Sequence, residues 1–232
     1  MTQPIELFFW PTPNGWKASI ALEEMQLPYS VRLVNIYTGE QNDPAFAKTN
    51  PNGKMPAIHD PDGPDGHPIN IFESGAILLY LARKTGLFYG TSERNRIEID
   101  QWLMWQMGNL GPMAGQVHHF VKYAPYFDPP VVDEYAQRRY VTETQRLYKV
   151  LDTQLEGRDW VGGDYSIADI AIWPWASLWE GQLIDISVLP NMEKWLARCL
   201  ERDGFAKGRA LHADLRRERG SADLQKHMFR GT

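Results

Sequence analysis

The chain reads as an α/β domain over residues 1–88, an all-helical domain over residues 92–215 and a C-terminal tail over 216–232. Two patterns predict this. Strand-like and helix-like hydrophobic periods alternate up to Phe88, and past Gly90 only helical periods remain. The length, 232 residues at 43% hydrophobic, is enough for one large core or two modest ones and excludes disorder, collagen and a coiled coil.

Ile5 to Trp10 reads as a buried strand, and Ala18, Ala21, Leu22 and Met25 then share one helical face. Tyr29, Val31 and Leu33 alternate with Ser30 and Arg32 as a second strand. Met55 to Ile58 and Ile69 to Phe72 are short apolar runs at hairpin distance, separated by the turn cluster DPDGPDGHP. Ser74 is the expected N-cap of an apolar helix, Ala76 to Lys84, closed by Gly86. The predicted order is β-α-β-α-β-β-α. Arg94 to Gln106, Val132 to Leu155, Ser166 to Trp179 and Pro190 to Arg202 read as helices of the second domain. From Arg216 the chain turns polar and loses its period, which predicts a mobile or surface-bound tail.

Composition narrows the function classes. Twenty-four basic against 29 acidic residues give a net charge of −5, so the basic surface that neutralises nucleic-acid phosphates is missing. No apolar run reaches the roughly 18 residues of a membrane helix, and MTQPIELFF has neither the basic start nor the cleavage site of a secretory signal. A single cysteine, Cys199, forbids an internal disulfide, a CxxC couple and a cysteine-rich zinc site. We therefore expect a cytoplasmic protein with no nucleic-acid or membrane partner and no metal.

Four local motifs bear on chemistry. KMP, Lys54 to Pro56, opens a strand; a cis peptide after Met55 would turn that residue's N–H and C=O towards an extended peptide ligand, although a trans edge-strand proline is the commoner case. Glu73-Ser74 sits at a helix mouth, where Ser74 could receive a carboxylate and Glu73 an ammonium; alone, the pair is an N-cap and a first-turn acid. PTPNG, Pro11 to Gly15, joins the first strand to the first helix, so that Thr12 and Asn14 could stabilise a thiolate, or simply start the helix. YSIAD, Tyr165 to Asp169, has capping-box spacing and is structural.

His118-His119 is read as lining a site or supporting the residues that do, not as a metal pair, because adjacent helical residues point about 100° apart and no third ligand is visible. Most of the nine tryptophans fall on helical apolar stripes and are core. Trp10 and Trp16 flank PTPNG and are candidate walls of an apolar pocket, Trp10 equally a strand-core residue.

PTPNG, NPNGKMPAI, ESGAILLYLA, QWLMWQMGNLGPMAGQVHHF, YVTETQRLYKVLDTQL and YSIADIAIWPW together resemble the cytosolic glutathione transferases, most of all their bacterial Nu class, from about Ile5 to Arg202. The resemblance implies a thioredoxin-like first domain, a helical second domain and a homodimer. It puts Glu73 and Ser74 on the γ-glutamyl end of glutathione and the Met55 backbone on its cysteinyl unit. Thr12 and Asn14 fall near the sulfur, Gln41 and Lys54 around the rest of the tripeptide, and Arg139 reaches in from the helical domain. Pro11 to Asn14 stands where thioredoxin relatives carry CxxC, so the thiol must come from glutathione.

The implied activity is glutathione-dependent disulfide reduction, with glutathione or its disulfide bound and a small disulfide or hydrophobic electrophile as second substrate. The rivals are conjugation, ether or thioether cleavage, and a non-catalytic binding module.

Overall fold

The computed structural model describes residues 3–217 and 222–229. Within the first domain the observed order is β1 (Ile5–Phe9), α1 (Pro13–Glu24), β2 (Tyr29–Leu33), α2 (Pro44–Ala47), β3 (Ala57–Asp60), β4 (Ile69–Phe72) and α3 (Ser74–Thr85). This is the expected β-α-β-α-β-β-α succession. The strands lie in the order β2-β1-β3-β4, with β1 parallel to β2 and antiparallel to β3, and β3 antiparallel to β4.

Alternation along β1 sends its apolar residues into two different cores. Ile5, Leu7 and Phe9 enter the large core with α1, α3 and the helical domain, whereas Phe8 and Trp10 join Val34, Ile36, Phe46 and Ala57 in a smaller core. Both faces of the strand are covered from Leu7 to Trp10, while Glu6, near its start, is half-buried and lies 4.0 Å from Arg32 Nη1.

The second domain begins with α4 (Glu93–Trp105), which runs through a π-helical turn, Gln106–Leu110, into α5 (Gly111–Val117) and a second π turn, His118–Tyr123. There follow α6 (Glu134–Gln154), α7 (Ile167–Ala176), α8 (Pro190–Leu200) and α9 (Asp203–Ala210). The capping box of α7 forms with both reciprocal bonds, and all ten of its residues are buried. Asp169 also accepts from Val161 N and Trp195 Nε1, tying α7 to α8. Cys199 is fully buried in the same core, and burial pushes its thiol well above the usual range.

Two features depart from expectation. Helix α9 is additional: it packs on the flank of α1, where Ser19 Oγ donates to Gly208 O at 2.7 Å and a Cβ on Gly208 would meet Ile20 N at 2.5 Å. That approach buries α1 all round instead of on one face. The described part of the tail forms α10 (Ala222–Met228), bound to the surface, with Leu224 buried. Residues 218–221 and 230–232 of the tail lie outside the described residues.

Candidate functional site

A cavity of about 770 Å³ opens between the two domains, above the ends of β1 and β3. Its walls include Thr12, Asn14, Gln41, Lys54, Met55, Glu73 and Ser74, seven of the eight residues singled out in the sequence. They come from four segments: the β1–α1 turn, the α2 region, the KMP segment and the mouth of α3.

Thr12 is the N-cap of α1, its Oγ1 accepting from Gly15 N at 3.2 Å. That bond uses the oxygen and leaves the O–H as a donor. Asn14 Oδ1 accepts from Trp175 Nε1 at 3.0 Å. Because an indole N–H can only donate, this contact fixes which end of the amide is oxygen and leaves Nδ2 to be offered elsewhere. The two side chains are thus donors at the positive end of a helix, a combination that stabilises an anion.

The Met55–Pro56 peptide is cis, and Met55 lies on the cavity wall. Glu73 is the N-cap of α3 with φ 67 and ψ 116, so Ser74 is the first helical residue and not the cap expected from the sequence. The turn at Glu73 takes the chain from β4 into α3 with this single residue between them, and its side chain makes no capping hydrogen bond. A non-glycine residue held there carries strain of about 1–3 kcal/mol, which surrounding structure must offset. Asn52 Nδ2 donates to Glu73 Oε1 at 3.4 Å, and Ser74 Oγ lies 3.7 Å from Met107 Sδ.

Arg139 is not brought to the cavity. It is exposed on α6, whose buried stripe is Ala136, Thr144, Leu147, Tyr148 and Leu151. At about 100° per residue it is half a turn out of phase with Tyr148. Its charge instead acts on Glu143, helping Arg146 to hold that carboxyl low. Trp10 and Trp16 also fall outside. Trp10 packs edge-on against Tyr37 in the small core, and Trp16 is fully buried beneath the Arg209 guanidinium at 3.8 Å.

The helical domain brings His118 and His119 to the cavity, as the sequence suggested, and adds Gln106, Met107, Phe120 and Tyr123, which it did not single out. Both π turns reach the cavity, the first through Gln106 and Met107, the second through His118, His119, Phe120 and Tyr123. The extra residue in a π turn rotates side chains off the ordinary helical stripe, a common device at functional sites. His118 is almost wholly buried, and burial, then the charges of Lys122 and Arg216, push it down to about 3, so it stays neutral. Among the described residues no group of three or more metal-ligating side chains occurs.

Lys17 is the most unexpected lining residue: 1% exposed, it donates to Gln106 Oε1 at 2.8 Å. Burial lowers it to about 7, opposed in part by the charge of Glu73. A lysine inside the apolar run of α1 was the available signal.

The tail closes one side. Gln41 Nε2 donates to His227 O at 2.8 Å, and Phe229 packs against His119 at 4.6 Å and Phe127 at 5.6 Å between ring centroids. Met228 and Phe229 line the cavity, and a side cavity of about 280 Å³ runs between this tail and Gln41, Asn52 and Lys54.

Comparison with known proteins gives a consistent picture. Residues 12–84 match the family model for "Glutathione S-transferase, N-terminal domain", and residues 116–203 that for "Glutathione S-transferase, C-terminal domain". The chain is 50% identical over 209 residues to disulfide-bond oxidoreductase YfcG of Escherichia coli (strain K12), covering 89% of this chain and 94% of the relative. A Pseudomonas putida glutathione transferase with one glutathione disulfide bound per subunit superposes with a TM-score of 0.85 at 42% identity, over 90% of this chain and 92% of the other. A family member from Pseudomonas fluorescens Pf-5 with two glutathiones bound gives 0.84 at 44% identity, over 88% and 92%.

Proposed function

We propose a mechanism for a chain that belongs to the glutathione transferase family: it is a glutathione-dependent disulfide reductase whose nucleophile is the thiolate of bound glutathione. The observation that carries this is the donor pair Thr12 and Asn14 at the start of α1, facing a cavity that holds no protein thiol. The one cysteine is buried in the helical core. A sulfur nucleophile must therefore be brought in.

Glutathione lies along the first-domain wall. Its γ-glutamyl ammonium meets Glu73 and its α-carboxylate meets Ser74 and the N-terminus of α3; the backbone of Met55 pairs with the cysteinyl unit, and Lys54 attends the glycyl end beside Gln41. The thiol then faces Thr12 and Asn14, whose two donors favour the thiolate over the thiol. The thiolate attacks the disulfide, one S–S bond forms as another breaks, and the departing sulfur is protonated. A second glutathione or half of glutathione disulfide fits the wall of His119, Phe120, Tyr123 and Phe229. The cavity volume and the ligands named for the two Pseudomonas structures support a site large enough for both halves.

With glutathione as sole reductant, the protein turns over a small linear disulfide, and Cys199→Ser retains that rate per folded molecule. Loss of activity in a well-folded Cys199→Ser protein would return the chemistry to a protein thiol. Glu73→Ala weakens glutathione binding by roughly ten- to hundredfold, the loss expected on removing a charge-assisted partner worth about 1.5–3 kcal/mol. Calorimetric titration measures it, and unchanged affinity would take Glu73 out of the site.

The protein works in the cytoplasm as a homodimer. Ile97 and Met104, seven residues apart on α4, are about half exposed and form an outward apolar stripe for the partner. Phe88, between α3 and α4, turns inward against Tyr165 at 4.8 Å and is only partly exposed. Light scattering at micromolar concentration should give twice the chain mass; a monomer mass refutes the dimer.

A further inference from the structure

The floor of the cavity holds two polar groups for which glutathione binding has no assigned use. Lys17 sits three residues after Asn14 on α1, hence on the same side of the helix. It is 1% exposed, and Gln106 Oε1 is its one hydrogen-bond partner found among the described residues. Gln106 is itself fully buried, and its Nε2 has no acceptor among them. Nor has that amide room to swing towards Gly111, where even a Cβ would come within 2.8 Å of Nε2. A buried amine with one neutral partner lacks the counter-charge that its ammonium form needs, and a buried amide N–H lacks its acceptor. Both deficits point to an anion entering the same cavity.

The surroundings leave Lys17 free to change charge. Glu73, at the mouth of α3, is the acidic group acting on it, while Gln106 from the first π turn and Trp175 from α7 do not titrate. His118, from the second π turn, is already neutral, and Lys54 is exposed on the KMP segment. Helix α9 meets a different side of α1, where Arg209 covers Trp16.

We propose that Lys17, held by Gln106, is the proton acceptor for the thiol chemistry: it takes up a proton when the thiol of bound glutathione ionises. The sulfur becomes an anion while the net charge of the cavity stays constant. In the first step the S–H bond breaks and its electron pair stays on sulfur, while an N–H bond forms on the Lys17 amine, directly or through water. In the second, the thiolate attacks the disulfide and the departing thiolate takes a proton from the Lys17 ammonium, restoring the amine. The inference rests on the glutathione reading of the site.

The test titrates glutathione into the wild type, Lys17→Met and Lys17→Arg. Thiolate is followed by its ultraviolet absorbance across pH, and proton release by calorimetry in two buffers of different ionisation enthalpy. The wild type should release less than the proton its thiol loses near neutral pH. Lys17→Met should release all of it and raise the thiolate midpoint, with about three- to tenfold less thiolate at neutral pH. Lys17→Arg, permanently charged, should keep a low midpoint yet lose the proton uptake. A Lys17→Met protein that binds glutathione with wild-type midpoint and proton release overturns the proposal. Should Lys17→Met fail to fold, Gln106→Leu removes the amide that holds the Lys17 ammonium and should raise the midpoint by a smaller amount; no shift there overturns it equally. Failure of the wild type itself to bind glutathione is a different result, which removes the functional reading and this inference with it.

Discussion

Asn14→Ala slows glutathione-dependent reduction of a small disulfide by roughly ten- to hundredfold, and Thr12→Ala does the same. Each variant deletes one donor to the thiolate, a hydrogen bond to a charged group worth about 1.5–3 kcal/mol. Because the lost donor favoured the anion, each variant also moves the pH–rate midpoint upward. The two losses are non-additive if both side chains meet one sulfur. Thr12 has a second duty as N-cap of α1, so its removal costs stability of about 1 kcal/mol as well. Thr12→Ser keeps both functions and should restore rate and midpoint together. Trp175→Phe adds a further check, since it leaves Asn14 in place and removes the indole N–H that fixes the amide's orientation, along with part of the ring that packs on His118. Steady-state kinetics across pH read all of these. Wild-type rates and profiles in both alanine variants would place the thiolate elsewhere.

Asp169→Ala destabilises the whole molecule, by about 3–5 kcal/mol, which for a chain of this size is a fall in melting temperature of roughly 10 °C or more. The carboxylate is fully buried and accepts from Val161 N at 3.0 Å, Ser166 N at 3.0 Å and Trp195 Nε1 at 2.9 Å. Truncation strands three buried donors at once. Burial holds this carboxyl up, at about 6 against an ordinary 3.8, despite those bonds. The folded state therefore binds a proton between the two values that the unfolded state has lost. Asp169 contributes stability that is fully present below about 3.8 and lost as pH rises through about 6. Asp169→Asn removes that slope. Thermal unfolding across this window measures both effects, and an unchanged midpoint in Asp169→Ala would mean that the capping box is not a keystone of α7.

Elements encoded by adjacent residues are legible in the sequence. Thr12-Pro13 starts α1, Ser166 and Asp169 cap α7, and Gly86 in the left-handed region ends α3. The error at Ser74 is one residue wide. It arises because the Glu73 backbone turns at positive φ, a conformation that the sequence assigns no cost and the site imposes. Helix α9 was illegible for another reason: DGFAKGRA has little apolar period, and the helix is held by close backbone approach at Gly204 and Gly208. Such an approach depends on a partner surface, not on local pattern.

Local chemistry thus determined the α/β and helical domains and the β-α-β-α-β-β-α order, because caps, turns and hydrophobic periods act over a few residues, while glutathione and the residues around it were implied by the resemblance to a known family. The tertiary fold decided which of them share a cavity. It gathers Thr12, Asn14, Met55, Glu73 and Ser74 across some sixty positions of chain, and it leaves Arg139 on the outer face of α6. It also lifts Gln106 and His118 off their helical stripes through the π turns, sinks Lys17 into the floor, and brings Phe229 back from the tail. The physical reason is common to all four. Burial and orientation at these positions are set by packing between elements distant in sequence, and a residue's neighbours along the chain carry no record of it.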